Sequence, residues 1–491
     1  MLQCLDSLES RQLRDFFHES GYTTAALNKH FNSTEIPQLH LLKLYACGIP
    51  LEPSRLTTLF HWFWIGTPVE TAMAGEWIPP QFIRLLIKSG ILIEENNHFR
   101  STVRISPFDK YLVLSDHAIR AGGTLGANTI LWPNPTTLLC YHLSLRSPGA
   151  RTLDLGTGSG ILALSSAEHS SQVIATDLNP RARQFCLFNA ALNGAPNIEF
   201  REGNAFEPVN DERFDFILAN PPFFVTPSVR RIYSDNAMDL DEFCRMLVRQ
   251  APQHLTEGGY CQMLAEWVEF DGQPWEEKLK EWFDGLGCDV WVLVLYSRSS
   301  LDYAILRVFE DKDEVTPETH AALAAEWHAY FKQKRVVSMY GGIIVLRKRS
   351  GRNWTRMEES RTIPARPFGD VLRRTFENRD ALECYASDQL LLASRPALPP
   401  SARLQKQSVL SPEGWKLTSV EILSGEGLPR SISLQSQVAD FLALCNGWTT
   451  LRENADRFAA LVKADPATVH RECCSLIRLL AECNMISFQD S

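Results

Sequence analysis

The chain has 491 residues, about three times the length of a typical domain, so the sequence predicts more than one domain. Its composition, 45% hydrophobic and 22% charged, is ordinary for a soluble globular protein with a buried core. The net charge of −9 and the pI near 5.8 argue against a surface that binds nucleic acid everywhere, although they allow a local basic patch.

The chain shows no sequence signal for secretion, membrane insertion or metal binding. Its first residues mix Asp6, Glu9 and Asp15 with apolar residues, so we expect neither a secretory signal nor an anchor. No run of about 18 uncharged apolar residues occurs, so no membrane span is expected. The 12 cysteines include no C-x-x-C pair, which gives a structural zinc site little support. These features indicate a reduced cytoplasmic protein without a metal.

Residues 1–120 are predicted to form a helical N-terminal domain. Apolar residues recur at helical spacing in three segments, SLESRQLRDFF, IPQLHLLKLYAC and PPQFIRLLIKSG. Two short β-like runs after Gly90 flank Asn96 and Asn97, which predicts a hairpin. Helices followed by a hairpin resemble a winged-helix domain. A generic helical cap, packed on the rest of the chain, is an equally good interpretation.

From Arg151 onward the pattern changes to alternating strands and helices, which predicts a parallel sheet with helices on its faces. The predicted strands are RTLDLG, QVIATDL, NIEFREG, RFDFILAN, GYCQMLAEW, CDVWVLVLYS and VVSMYGGIIVLRK. A helix over DEFCRMLVRQAPQHL is expected to stop at Gly258 and Gly259. Another helix, TPETHAALAAEWHAYFKQ, is expected between the last two strands.

The remaining chain is predicted as a basic linker region over residues 351–400 and a small helical domain over residues 401–491. The basic stretch 347–374 contains Arg347, Lys348, Arg349, Arg352, Arg356, Arg361, Arg366, Arg373 and Arg374, against Glu358, Glu359 and Asp370. Such a stretch is usually a solvated face, although it could contact nucleic acid. The C-terminal helices are expected in VADFLALCNG, NADRFAALVKA and VHRECCSLIRLLAECNMI.

The segment DLGTGSG, which begins at Asp154, is a glycine-rich turn between a predicted strand and a predicted helix. Its glycines at 156, 158 and 160 let the backbone turn sharply and approach a ligand closely. A dinucleotide site has the spacing G-x-G-x-x-G, whereas this G-x-G-x-G resembles motif I of class I methyltransferases. Asp177 ends the next strand, where an acid can accept hydrogen bonds from ribose hydroxyls.

The sequence Asn220-Pro221-Pro222-Phe223 directly follows another predicted strand, FDFILA. An amide or exocyclic amine nitrogen is a poor nucleophile, because its lone pair is delocalised. The Asn220 side-chain carbonyl and the Pro221 backbone carbonyl can accept its two N–H groups and turn the lone pair toward a methyl donor. The two prolines stiffen this loop, and Phe223 offers a flat apolar face for a planar group. No general base is needed before transfer, because a sulfonium is a strong electrophile.

Together these motifs resemble the N-methyltransferases that carry N/D-P-P-Y/F, which include release-factor glutamine methyltransferases and adenine-N6 and guanine-N2 methyltransferases of RNA and DNA. The resemblance is specific over about residues 125–265, and it implies a class I methyltransferase domain over 121–350. It implies a Rossmann-like α/β fold with a seven-stranded, mostly parallel sheet whose last strand is antiparallel. It implies S-adenosyl-L-methionine as cofactor and catalytic roles for Asn220, Pro221, Pro222 and Phe223. The implied cofactor contacts are Asp154, Gly156, Gly158, Gly160, Asp177, Asn204 and Asn220.

The sequence departs from this family at three places. An adenine contact that is often aspartate is here Asn204, and Phe223 stands where release-factor enzymes usually have tyrosine. The segment before the glycine turn reads Trp132-Pro133-Asn134-Pro135-Thr136 instead of an arginine-proline-glutamate pattern, and its last two residues could still line the cofactor pocket. The loop after the N-P-P-F motif offers three candidate target contacts, Arg231, Tyr233 and Asp235.

Three functions therefore remain open from the sequence. The first is methylation of a glutamine in a translation factor or ribosomal protein, which the resemblance and the acidity favour. The second is methylation of a base in RNA or DNA, which Phe223, the winged-helix interpretation and the basic stretch 347–374 favour. The third is a non-catalytic protein that binds nucleic acid, which the intact glycine turn and N-P-P-F motif disfavour.

Overall fold

The structure is a computed structural model that describes residues 2–30, 52–117, 126–227, 235, 238–310, 316–360 and 368–489. The chain forms two compact units. The first comprises Met1–Tyr141 and Ser147–Glu359, and the second comprises His142–Arg146 and Ser360–Ser491. The division into four domains made from the sequence stays a prediction.

The N-terminal part of the first unit is helical and ends in small antiparallel sheets. Its helices are α1 (Ser7–Glu19), α2 (Thr24–His30), α3 (Arg55–Phe60), α4 (Thr71–Trp77) and α5 (Pro80–Lys88), and its strands are β1 (Val69–Glu70), β2 (Leu92–Glu95), β3 (His98–Ser101), β4 (Arg104–Phe108) and β5 (Tyr111–Ser115). The predicted hairpin is confirmed, since β2 and β3 pair antiparallel around Asn96 and Asn97, whose φ angles are 51° and 62°. The helix expected in IPQLHLLKLYAC lies outside the described residues.

The central part of the first unit alternates strands and helices, as the sequence predicts. Its elements run α6 (Pro135–Leu143), β6 (Ala150–Leu155), α7 (Ile161–Ala167), β7 (Ser170–Asp177), α8 (Pro180–Asn193), β8 (Ile198–Glu202), β9 (Phe214–Ala219), α9 (Glu242–Gln250), β10 (Leu255–Phe270), α10 (Trp275–Phe283), β11 (Cys288–Ser299), α11 (Ser300–Glu310), α12 (Pro317–Gln333), β12 (Val336–Lys348) and β13 (Thr355–Glu359). The sequence interpretation missed three of these helices, α6, α10 and α11.

These strands form one sheet in the order β13-β11-β12-β10-β9-β6-β7-β8. The fold class is confirmed: the strands from β6 to β10 pair in parallel, and β12 is antiparallel to both of its neighbours. The predicted number of strands was wrong, because the described sheet has eight strands where seven were expected. The additional strand β13 pairs in parallel with β11 and covers an edge that would otherwise expose unpaired backbone groups. It lies in the stretch predicted as a basic linker.

The predicted end of the helix before β10 was also wrong. α9 already ends at Gln250, and a short 3-10 turn containing Pro252 follows it. Proline lacks the N–H that would continue an α-helix. Gly258 and Gly259 lie inside β10, where the pairing with β9 shifts register between Leu255 and Tyr260. A Cβ on Gly259 would lie 3.0 Å from the Phe214 carbonyl oxygen, so this irregular stretch of strand requires a residue without a side chain.

α8 joins the N-terminal part to the central sheet. The helix starts after Asn179, whose side chain accepts from the Arg181 N–H, and it ends at Gly194 with φ 72°. Its apolar residues, Ala182, Phe185, Phe188 and Leu192, belong to the same core cluster as the N-terminal helices. The buried Asn189 of α8 pairs with both backbone groups of Leu114 in β5 and donates to the Ser159 carbonyl in the glycine turn. The N-terminal part thereby supports the turn directly.

The second unit contains a sheet as well as helices, which corrects the prediction of a purely helical module. Its elements are α13 (Gly369–Cys384), α14 (Asp388–Ala393), β14 (Pro396–Ala397), β15 (Arg403–Ser411), β16 (Gly414–Leu423), β17 (Ser431–Ser433), α15 (Ser436–Ala443), α16 (Leu451–Val462), α17 (Pro466–Glu482) and β18 (Ser487–Phe488). The three C-terminal helices expected from the sequence are confirmed as α15, α16 and α17. Within the described residues, no helix combines the length and the apolar character that crossing a membrane requires.

Candidate active site

A cavity of about 450 Å³ opens at the carboxyl ends of the central parallel strands. This is the edge of an open α/β sheet at which ligands usually bind, and the volume is that of an ordinary small-molecule site. Most of the residues singled out in the sequence line it together: Gly156, Gly158, Asp177, Asn204, Asn220, Pro221, Pro222 and Phe223. Four distant sequence segments therefore meet at one cavity.

The glycine turn brings the backbone close to the N-P-P-F loop. Gly156 and Gly158 have φ angles of +75° and +52°, a region that residues with side chains rarely adopt. A Cβ on Gly156 would lie 3.9 Å from the Pro221 Cα, between the turn and the loop. A ligand can use this space because residue 156 is a glycine and has no side chain.

Asp154 and Gly160 are not among the residues that line the cavity, so their predicted cofactor contacts remain predictions. Asp154 is fully buried, and its carboxylate accepts a 2.6 Å hydrogen bond from the Thr157 hydroxyl. Burial raises the pKa of Asp154 to about 7, against the lowering effect of that hydrogen bond. A Cβ on Gly160 would lie 3.1 Å from the Cα of Cys186 in α8. In the structure, Asp154 stabilises the turn through its hydrogen bond with Thr157, and Gly160 allows the start of α7 to pack closely against α8.

Asp177 presents a fixed carboxylate to the cavity. Its Oδ2 accepts from the Gly158 N–H and its Oδ1 from the Asn179 N–H, both at 2.8 Å. Burial raises the pKa of Asp177, and the two backbone hydrogen bonds oppose that shift. A carboxylate has about four lone-pair positions, so about two remain to accept hydroxyl groups of a ligand.

Asn204 reaches the cavity from a tight turn after β8. Gly203 has φ +156°, and a Cβ there would lie 2.5 Å from Pro208 Cγ. Ala205 has φ 47°, an uncommon conformation for a residue with a side chain. The Asn204 residue is exposed at the cavity rim, where its amide offers both a donor and acceptors. The turn therefore holds a polar group where the sequence predicts an adenine contact.

The amide of Asn220 is oriented by a neighbour that the sequence interpretation did not single out. Its Nδ2 lies 3.4 Å from the hydroxyl oxygen of Thr137. The one proton of that hydroxyl points to Asn134 Oδ1 at 3.0 Å, so the oxygen can only accept from Asn220. Asn134 is itself fixed, because it accepts from the Thr137 N–H at 2.9 Å and thereby caps α6. The Asn220 carbonyl oxygen consequently remains available on the other side of the amide.

The other half of the cavity is apolar and aromatic. Phe223 is 7% exposed, and its ring packs edge-on against Phe224 with centroids 4.9 Å apart. The lining also includes the apolar and aromatic residues Trp132, Met238, Phe243 and Met246, and one acid, Asp235. Within the described part of the chain, the lining includes no lysine, arginine or histidine. Of the other candidates, Thr136 lines the cavity and Pro135 does not, while Arg231 and Tyr233 lie outside the described residues.

The wall next to Trp132 is held by groups of the N-terminal part. Asp116 pairs with Arg181 through two hydrogen bonds of 2.7 Å and accepts from the Ile130 N–H at 2.8 Å. The buried Arg104 guanidinium lies 5.3 Å from the Trp132 ring centroid. Burial lowers the pKa of Arg104 to about 10, so it stays cationic at neutral pH and can stack on the ring. The N-terminal part therefore shapes the cavity as well as covering the sheet.

Residues 134–287 match the family model described as the methyltransferase small domain. A release factor glutamine methyltransferase of Geobacter sulfurreducens is 34% identical over 147 residues, which cover 27% of this chain and 51% of that protein. One of Xylella fastidiosa is 36% identical over 129 residues, 24% of this chain and 47% of that protein. A ribosomal protein uL3 glutamine methyltransferase of Bradyrhizobium diazoefficiens is 33% identical over 122 residues, 22% of this chain and 38% of that protein. The chain spans about half or less of the length of these relatives.

The matched segment is a class I methyltransferase domain of the small-domain type. The methyl donor of this class is S-adenosyl-L-methionine, and the residues present fit it. Gly156 and Gly158 leave room for close approach, Asp177 keeps acceptor positions free for hydroxyl groups, and Asn204 offers an amide at the rim.

Proposed function

We propose that this protein transfers a methyl group from S-adenosyl-L-methionine to the side-chain amide nitrogen of a glutamine in a translation factor or ribosomal protein. The observation that carries the proposal is the fixed Asn220 amide, held by Thr137 in the cavity that the glycine turn also lines. The names of the related proteins support a glutamine target. The proposal includes a cytoplasmic location, where such acceptors are made.

In this proposal Asn220 and Pro221 orient the target nitrogen. The cofactor, when bound, supplies a methyl group on a positively charged sulfur. The Asn220 Oδ1 and the Pro221 carbonyl accept the two N–H groups of the glutamine amide, which turns the nitrogen lone pair out of conjugation with its carbonyl. The same two oxygens stabilise the positive charge that grows on the nitrogen during transfer. The proton is lost to solvent afterwards, so no dedicated base is required.

The stiffness of the loop makes this orientation effective. Pro221 and Pro222 have fixed φ angles and offer no N–H groups that would compete for the acceptors. Phe223 and Phe224 form an apolar wall that excludes water from the amide. A primary amide is planar and neutral, and it suits a pocket that combines two acceptors with aromatic surfaces.

The charges of the described residues favour a protein acceptor over a nucleic acid. A nucleic acid is held mainly through its phosphates, by lysine and arginine. The lining of the cavity offers neither among the described residues. Several cations of the basic stretch 347–374 already have acidic partners: Arg347 and Arg349 with Asp289, Arg356 with Glu358, Arg373 with Asp370, and Arg374 with Glu426. Arg361 and Arg366 lie outside the described residues.

The second candidate is methylation of an adenine or guanine amino group in RNA or DNA. Phe223 favours it, because an aromatic face at the target position can stack on a base. A non-catalytic nucleic-acid-binding role is the third and weakest candidate, since all four residues of the N-P-P-F motif line the cavity.

Labelling separates these candidates. The purified protein and tritiated S-adenosyl-L-methionine are incubated with extract of a strain that lacks the gene, and the products are fractionated into protein, RNA and DNA. We expect label in protein, on a glutamine. Label confined to RNA or DNA would replace the proposal with the second candidate. Absence of label together with absence of cofactor binding by calorimetry would leave the third.

A further inference from the structure

A buried carboxylate lies directly behind the N-P-P-F loop. Glu266, on β10, is 0% exposed, yet both of its oxygens have two hydrogen-bond donors. Oε1 accepts from the Tyr296 hydroxyl at 2.6 Å and from Arg307 Nη2 at 2.8 Å. Oε2 accepts from the Tyr303 hydroxyl at 2.5 Å and from the Val225 N–H at 3.3 Å. All four acceptor positions of the carboxylate are thus occupied.

These contacts reach the loop at two points. The first is the backbone of Val225, whose N–H lies 3.0 Å from the Tyr303 hydroxyl and 3.3 Å from Glu266. The second is Phe224, because the Arg307 guanidinium carbon lies 3.3 Å from its ring centroid. Phe224 in turn packs edge-on against Phe223 at the cavity. The residues that follow Pro222 are therefore fixed both through the backbone and through the aromatic rings.

The geometry of the sheet makes room for this arrangement. β11 shifts register against β12 between Val294 and Tyr296, and the Tyr296 ring crosses Gly341 of β12. A Cβ on Gly341 would lie 2.1 Å from Tyr296 Cζ, so only glycine is tolerated beneath the ring. Gly341, the first glycine of the predicted strand VVSMYGGIIVLRK, thus allows the Tyr296 hydroxyl to reach Glu266.

Three of the four side chains described above, those of Tyr296, Tyr303 and Arg307, come from outside the matched domain. The match to the family model ends at residue 287, whereas Tyr296 lies on β11 and Tyr303 and Arg307 lie on α11. The pair Arg307–Glu266 is buried, at 9% and 0% side-chain exposure. Removing one partner of such a pair leaves an uncompensated buried charge, so Glu266 and Arg307 are expected to stay paired behind the loop.

We propose that Glu266, Tyr296, Tyr303 and Arg307, the Glu266 cluster, are positioning residues that hold the N-P-P-F loop in the geometry needed for methyl transfer. This inference rests on the proposed function for its kinetic consequence, and on the hydrogen bonds of Val225 for its structural one. None of the four side chains lines the cavity among its described residues, so they act on the acceptor only through Phe223, Phe224 and the loop backbone.

Two variants test the cluster. Tyr303→Phe removes one donor to Glu266 and the hydroxyl that accepts from the Val225 N–H. Glu266→Gln turns one oxygen into an NH₂ group that faces two donors, whichever oxygen is replaced. The matched control is Tyr340→Phe, because Tyr340 also donates to a glutamate of β10, Glu269 at 2.9 Å, but away from the loop.

Two measurements are made on each variant. The first is kcat for methylation of unmethylated release factor, together with the calorimetric Kd for S-adenosyl-L-methionine. We expect kcat to fall about tenfold or more in Tyr303→Phe and Glu266→Gln, as for a displaced catalytic loop, with the cofactor Kd within about threefold of the original. The second is amide hydrogen exchange of the segment 220–227, which should become faster in both variants and stay unchanged in Tyr340→Phe.

The outcomes separate the two proposals. If the unaltered protein methylates no protein acceptor, the proposed function fails, while the exchange of segment 220–227 still tests the cluster. Unchanged exchange in Tyr303→Phe, or faster exchange with kcat within about twofold of the original, would overturn the positioning role. Because Glu266→Gln could fail to fold, Tyr303→Phe decides the matter when the thermal unfolding of Glu266→Gln shows no cooperative transition.

Discussion

The Thr137 hydroxyl oxygen lies 3.4 Å from the amide nitrogen of Asn220 and joins the start of α6 to the end of β9. Because the hydroxyl proton is directed to Asn134, this contact determines which end of the Asn220 amide faces the cavity. A planar amide with its ends exchanged would present a donor where the target nitrogen requires an acceptor. In the proposed mechanism, Thr137 is therefore a positioning residue that acts through Asn220.

The role of Thr137 is tested by two substitutions of similar size. Thr137→Val keeps the shape of the side chain but removes the hydroxyl, so the Asn220 amide loses its orientation. We expect kcat to fall by about tenfold or more, since an orienting interaction is lost in the transition state. Thr137→Ser retains the hydroxyl and should restore kcat to within about threefold. A serine variant as slow as the valine variant would contradict this role.

Asp177 is expected to determine cofactor affinity rather than the rate of transfer. Asp177→Ala removes the acceptor positions available to ligand hydroxyls, and hydrogen bonds to a charged group contribute about 1.5–3 kcal/mol each. The Kd for S-adenosyl-L-methionine, measured by calorimetry, should rise by at least about one order of magnitude, which is the loss expected from a single such bond. Glu199→Ala, an exposed acid on the neighbouring β8, is the control and should leave Kd unchanged. An unaltered Kd in Asp177→Ala would remove this residue from the cofactor site.

Gly160 is expected to matter for packing. Gly160→Ala places a methyl group 3.0 Å from Cys186 Sγ and 3.1 Å from its Cα, at a φ of +84°. Gly149→Ala has a similar φ of +77° but no atom within 4 Å, so it isolates the backbone strain. The free energy of unfolding in urea should fall by about 1–3 kcal/mol more for Gly160→Ala than for Gly149→Ala. Equal losses would show that the contact with α8 is unimportant.

Asp154 is expected to make stability depend on pH. Burial raises its pKa from 3.8 to about 7, so between these values the folded protein holds a proton that the unfolded chain releases. Stability from this group is therefore present below its unfolded pKa and lost as pH rises toward 7, by up to about 1.4 kcal/mol per pH unit. Asp154→Asn should lack this slope, as urea unfolding between pH 4.5 and 8 would show. Parallel pH profiles for the two proteins would refute this assignment.

Most of the residues singled out in the sequence line one cavity, because the motifs that contain them are short segments. Asp177 and the N-P-P-F motif each follow a strand that periodicity identifies, and parallel strands bring their carboxyl ends to one edge. The turn glycines could be assigned for a similar reason, although the structure separates Gly160, which meets α8, from Gly156 and Gly158, which line the cavity.

The supporting contacts could not be predicted, because they join residues far apart in the sequence. Thr137 is 83 residues from Asn220, and Tyr303 is 78 residues from Val225. Neither pair leaves a periodic signal. Asn134 did carry a local signal, since asparagine followed by proline is typical of a helix start. This signal could have placed Thr137 beside the cavity. The strands β15 to β17 were missed because the helical periodicity of the C-terminal segment dominated the interpretation.

Mass analysis of a defined acceptor tests the central claim most directly. Unmethylated release factor and ribosomal protein uL3 are each incubated with the purified protein and S-adenosyl-L-methionine, and their peptides are sequenced by tandem mass spectrometry. We expect the unaltered protein to place one methyl group on the side-chain nitrogen of a glutamine in one of these two acceptors. The Asn220→Ala variant should form the same product at least about a hundredfold more slowly. Its Kd for the cofactor should stay within a few-fold of the original. Methylation at any other kind of atom, or equal rates for the unaltered protein and Asn220→Ala, would contradict the account.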